Sequence, residues 1–108
     1  MFRIYSVSLE VVRQVVGLAR QVERQDRDLA RQMRRAAMSV SLNLSEGSYS
    51  RGGNRTARFH DAMGSAKETV ACLEVAVAAE YLSVEQVAVT LDQLDRVVAT
   101  AWRLVRGR

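Results

Sequence analysis

Apolar residues return every three or four positions along four stretches of this chain, and no proline interrupts any of them. That spacing lines up side chains on one face of an α-helix, whereas a half-buried strand needs strict alternation. With no proline, nothing forces a helix to stop or kink. The first seam runs Tyr5, Leu9, Val12, Val16 and Ala19, widened by Val11, Val15, Leu18 and Val22. The second is Leu29, Met33, Ala36 or Ala37, Val40 and Leu44, and the third Phe59, Met63, Ala66, Val70, Leu73 and Val77. The fourth, Val84, Val87, Leu91, Leu94, Val98, Ala101 and Val105, holds its alternation for three heptads.

The breaks between seams are polar. Glu23, Arg24, Asp26, Arg27 and Asp28 mark a turn. Residues 45–55, with Gly47, Gly52 and Gly53, read as the one long loop, and Asn54 is placed to cap the helix after it. Ser83 with Gln86 three residues on has the spacing of a capping box. Helices are expected over 5–25, 28–47, 54–81 and 84–106 of a single domain, 1–108. Matched lengths and short connections predict an all-α, up-down antiparallel four-helix bundle.

At 108 residues the chain is one small domain. A hydrophobic share of 48% excludes disorder, and 6% aromatics means a core of Val, Leu, Ala and Met. The one cysteine, Cys72, can make no internal disulfide and no zinc site alone. The start of the chain lacks a signal peptide's apolar run, and no stretch is apolar enough to span a bilayer. A cytoplasmic setting without membrane attachment is expected.

Charge is unevenly spread. Fifteen arginines stand against one lysine, Lys67. Residues 27–60 hold Arg27, Arg31, Arg34, Arg35, Arg51, Arg55 and Arg58 against only Asp28 and Glu46, while residues 61–108 are acidic on balance. Guanidinium groups suit bidentate phosphate contacts, so these seven are the candidate nucleic-acid-binding residues. The alternative is structural: Arg34 or Arg35 bridges to Glu46 or to a neighbouring subunit's acid. Apolar residues beside the seams (Val11, Val15, Leu18 and Val22, then Val75, Val89, Val97 and Trp102) exceed what a monomeric bundle needs, which points to a homo-oligomer.

No reaction chemistry is legible. His60 and Asp61 are neighbours on a helix and diverge, and a di-iron bundle needs Glu-x-x-His twice. Cys72 and His60 are separated along one helix by roughly 18 Å, too far for a nucleophile pair. No catalytic residues, metal or cofactor are expected. Asn43 and Glu46 share a helix face and suit holding a loop or an arginine. Gly47 suits a helix end or a close approach, and Gly64 with Ser65 a tight helix contact. Trp102 is an interface anchor or a surface on which a base could stack.

The run Gln32-Met33-Arg34-Arg35-Ala36-Ala37-Met38-Ser39-Val40-Ser41-Leu42-Asn43-Leu44-Ser45-Glu46-Gly47 resembles the signature of the bacterial four helix bundle family, also called the 23S rRNA intervening-sequence or S23 family. Arg58-Phe59, Ala62, Gly64-Ser65, Glu68 and Tyr81-Leu82 extend the likeness to about residues 5–105. Ser41 stands where proline is frequent, His60 where leucine is, and Val70 where a second glutamate is common. The resemblance implies a non-enzymatic bundle assembled as a barrel-shaped homopentamer. It also implies a kinship with the accessory variability protein of diversity-generating retroelements, whose basic pentamer binds nucleic acid and a reverse transcriptase. The functional expectation is an accessory factor that binds RNA or DNA through arginines; a protein-interaction scaffold without nucleic-acid binding is the alternative.

Overall fold

The computed structural model describes residues 2–106. Four helices make up nearly all of it: α1 (Arg3–Glu23), α2 (Arg27–Tyr49), α3 (Gly52–Ala78) and α4 (Val84–Arg106). Among the described residues there is no strand. Each helix packs on its neighbours in the chain, and α4 returns to α1, closing an up-down bundle of 43 × 22 × 20 Å. The first turns of α1 and α3 and the last turns of α2 and α4 therefore share one end. The α1–α2 and α3–α4 connections lie at the other.

The turns are made by local chemistry. Asp26 caps α2 by accepting from the Leu29 N–H at 2.9 Å. Ser83 and Gln86 form the expected capping box, with reciprocal bonds of 2.9 and 3.1 Å. Helix α3 ends at Ala78, short of the expected bound at 81. The Tyr81 N–H reaches the Ala76 carbonyl and the Glu80 N–H the Val77 carbonyl, both at 2.9 Å, a Schellman closure with Glu80 at φ 65°.

The long loop expected over residues 45–55 does not exist. Helix α2 runs through Gly47 to Tyr49, and α3 starts at Gly52, leaving Ser50 and Arg51 as the connection. The serines do not break the helix, because the Ser48 and Ser50 hydroxyls donate to the Ser45 and Glu46 carbonyls at 2.7 and 2.8 Å. Gly52, at φ 58°, makes the reversal instead. Arg51 takes the N-cap position of α3 without a side-chain bond, so Asn54 is no cap; it lies inside the helix and donates to Ser50 Oγ at 3.3 Å.

The core confirms the second seam and shifts the first. On α1 the buried line is Ile4, Ser8, Val11, Val15, Ala19 and Val22, while Tyr5, Leu9, Val12 and Val16 lie half-buried along its flank. Both lines are apolar, and only the polar Ser8 could have disguised which was central. Its hydroxyl is buried against Ser41 Oγ of α2 at 2.8 Å. Val11, Val15, Val22 and Val97, read as surplus apolar surface, are core residues. The apolar side chains left well exposed are Met38, Leu42, Tyr49, Val75, Val84, Val89 and Trp102. Phe59, Met33, Leu44, Leu73 and Leu94 are the largest fully buried side chains, each stabilising the fold by about 1.5–3 kcal/mol through apolar burial.

Candidate nucleic-acid interface

Because α2 is a single 23-residue helix, the seven candidate arginines form two groups, not one patch. Arg27, Arg31, Arg34 and Arg35 occupy its first turns. Arg51, Arg55 and Arg58 gather at its other end, Arg51 in the connection and Arg55 and Arg58 on α3 beside Gly47 and Glu46. Glu46 lies about 17 Å along α2 from Arg35 at about 1.5 Å per residue.

Their partners differ. Arg31 pairs with Asp28 at 3.2 Å, and Arg34 with Glu23 at the end of α1 at 3.3 Å. Arg34 therefore does not bridge to Glu46. That acid meets Arg58 at 3.8 Å, and Arg58 also lies 3.6 Å from Asp61. Arg55 is structural: it donates to the Gly47 carbonyl at 3.1 Å, and its guanidinium lies 4.7 Å from the Phe59 ring centroid. Arg27, Arg35 and Arg51 are exposed and make no ion pair among the described residues.

The remaining motif residues hold helices together. Asn43 donates to the Ser39 carbonyl at 3.0 Å and to Ser39 Oγ at 3.1 Å, and Ser65 Oγ of α3 donates to that same hydroxyl at 2.8 Å. This polar seam between α2 and α3 explains Asn43 and Ser65 without a ligand. Gly47 is the close approach, packed under the Phe59 ring. Gly64 is not one: it is exposed, with open space where a side chain would stand. Cys72 is buried, and that burial, with Glu68 nearby, pushes its thiol pKa up. His60 is exposed, and no three metal-ligating side chains cluster among the described residues.

One basic feature escapes a reading in sequence blocks. A groove between α1 and α4 is lined by Arg3, Arg96 and Arg103 around Ile4, Val7, Ala99 and Thr100. Residues 61–108 count as acidic only because Asp61, Glu68, Glu74, Glu80, Glu85, Asp92 and Asp95 outweigh Lys67 and four arginines. Most of those acids stand toward the far end of the bundle. The up-down topology alone, applied before counting charge, would have revealed the gathering of Arg3 with Arg96 and Arg103.

No helix of the described chain is long and apolar enough to cross a membrane. No curated protein matches the chain. A solved structure from Bacteroides thetaiotaomicron, a protein of unknown function from the S23 ribosomal protein family, is similar over 96% of this chain and 99% of its own, with a TM-score of 0.88 at 19% identity. That likeness shows a shared fold. The family model for the 23S rRNA-intervening sequence protein matches residues 1–101. This chain, with its Arg34-Arg35-Ala36-Ala37 run, its Asn43-to-Gly47 segment and its four-helix bundle, belongs to the 23S rRNA-intervening sequence protein family.

Proposed function

We propose that this protein is a non-enzymatic accessory factor that works as a homo-oligomer and binds RNA or DNA through phosphate contacts. The observation that carries the reading is the exposure of Arg27, Arg35 and Arg51 without carboxylate partners, on a chain of net charge +4. Unpaired guanidinium groups attract polyanions and release counterions on contact. The family's description, which ties it to intervening sequences of 23S rRNA, points to the same class of partner.

Oligomerisation has its own support in the outer face of α2, where Met38, Leu42 and Tyr49 follow one another at helical spacing, Tyr49 being 78% exposed. A homopentamer is the assembly that the resemblance implies, and a reverse transcriptase is one partner it could serve. The same apolar line favours a second reading, a protein-interaction scaffold whose binding would persist at high salt.

Fluorescence anisotropy with a structured RNA and a DNA duplex across a salt series separates the two. Binding should be tight at about 50 mM salt and fall log-linearly above it. The triple variant R27Q/R35Q/R51Q should weaken it and flatten the slope by about two to three contacts. Arg55 is unsuited to this test, because removing it unties Gly47 and Phe59. Absence of binding at low salt would overturn the proposal.

A further inference from the structure

We propose that the α1–α4 groove seats the phosphodiester backbone of a single nucleic-acid strand that continues over the outer face of α4, where a base stacks on Trp102. This rests on the nucleic-acid reading above and adds a second surface to the one formed by Arg27, Arg35 and Arg51.

Three arginines, Arg3, Arg96 and Arg103, line the groove with an apolar floor of Ile4, Val7 and Ala99, and no carboxylate among the described residues lines it. The other basic concavities differ. Glu23, Asp26 and Asp28 interleave with arginines at the α1–α2 turn, and Asp28 and Glu68 line the groove between α2 and α3. The nearby acid on α1, Glu10, is held by Arg13 at 2.7 Å. Like charges gathered around an acid-free groove repel one another, and a bound anion relieves that repulsion.

Arg96 and Arg103 are two turns apart on one face of α4, so they can grip successive points along an extended backbone. Arg103 Nη2 donates to Thr100 Oγ1 at 3.2 Å, which orients it toward the groove's hydroxyl. Trp102, 46% exposed, lies outside the groove, about 100° around α4 from Arg103, and the Arg106 guanidinium lies 5.6 Å from its ring centroid. Guanidinium groups beside an exposed indole are the elements of a single-strand site, since only an unpaired base can stack.

Trp102 is the chain's one tryptophan, so its emission reports on this end of the bundle alone. Full-length protein would be titrated with an oligothymidylate, a duplex and inorganic phosphate, following both tryptophan emission and the anisotropy of labelled oligonucleotide. The single strand should quench emission saturably, the duplex less, and phosphate hardly at all. R96Q/R103Q should lower single-strand affinity about tenfold at low salt and remove about two contacts from the salt slope. Trp102→Ala should cost the single strand fivefold or more, a stacking-sized loss of about 1 kcal/mol or above, and leave the duplex unchanged. Circular dichroism would establish that each variant keeps its helices. Oligonucleotide binding with unchanged emission and an unaffected R96Q/R103Q would overturn the groove while leaving the proposed function standing. Quenching by phosphate as strong as by the oligonucleotide would reduce the groove to a simple anion site and overturn the proposal. Failure of any oligonucleotide to bind would overturn both.

Discussion

A Cβ on Gly47 would lie 2.5 Å from Cε1 of the Phe59 ring. Both residues are buried, and the ring cannot easily yield: Phe2 meets it edge-on at 6.2 Å between centroids and Arg55 covers it at 4.7 Å. Gly47 is therefore needed for space. Gly47→Ala should destabilise the protein by about 1–2 kcal/mol, the overpacking cost exceeding alanine's helix preference. Gly64→Ala, into open space on an exposed helix face, should stabilise by about 0.5–1 kcal/mol. Urea midpoints of the two variants should move in opposite directions.

The Ser8–Ser41 bond joins α1 to α2 inside the core. Ser8→Ala alone should cost about 1–2 kcal/mol, because the Ser41 hydroxyl loses its partner in a dry site. Ser8→Ala with Ser41→Ala should cost less than the two single changes added together. A double-mutant cycle by thermal or urea unfolding reads that coupling, and strict additivity would refute it.

Glu80 adopts φ 65° where the α3 closure favours glycine. It is exposed, and no described partner holds its side chain there. Glu80→Gly should leave the fold unchanged and be neutral to stabilising, by up to about 1 kcal/mol, as the left-handed strain is relieved. A clear fall in melting temperature would show that the side chain matters.

Burial, reinforced by Glu68, raises the Cys72 thiol above its ordinary pKa. The folded state thus holds its thiol proton to higher pH than the unfolded chain does. Stability should stay level below the unfolded thiol's pKa and decline as pH rises through it toward the folded value. In native protein at neutral pH, Cys72 should react with a chromogenic disulfide far more slowly than in denaturant. Equal rates would mean that the α3 core opens freely.

Helical period carried most of the fold. The four helices, the second and third seams, the Ser83–Gln86 capping box and the break after Val22 all reappear in the bundle. The first seam flanks the core, and the fourth begins at an exposed Val84. The failures were local. Gly47 among serines reads as a loop, since a glycine needed for close packing and one needed for a turn are the same letter. Glu80 ends α3 unannounced because backbone hydrogen bonds, not its side chain, close the helix.

The candidate site was legible only as composition. Arginine excess singles out the candidate residues, yet contact distances divide Arg55 and Arg58, which are tied into the bundle, from Arg27, Arg35 and Arg51, which make no ion pair among the described residues.

By itself the sequence determined that this protein is a bundle of four helices and where their middles lie, because amphipathic periodicity and capping act over a few residues. The α2–α3 connection and the end of α3 differ from what it suggested. Only the tertiary structure decided which apolar line of α1 is core, why Gly47 has no side chain, and that Arg3 meets Arg96 and Arg103 across a groove. Those outcomes depend on residues distant in the chain sharing one volume, and no local pattern encodes which neighbour arrives.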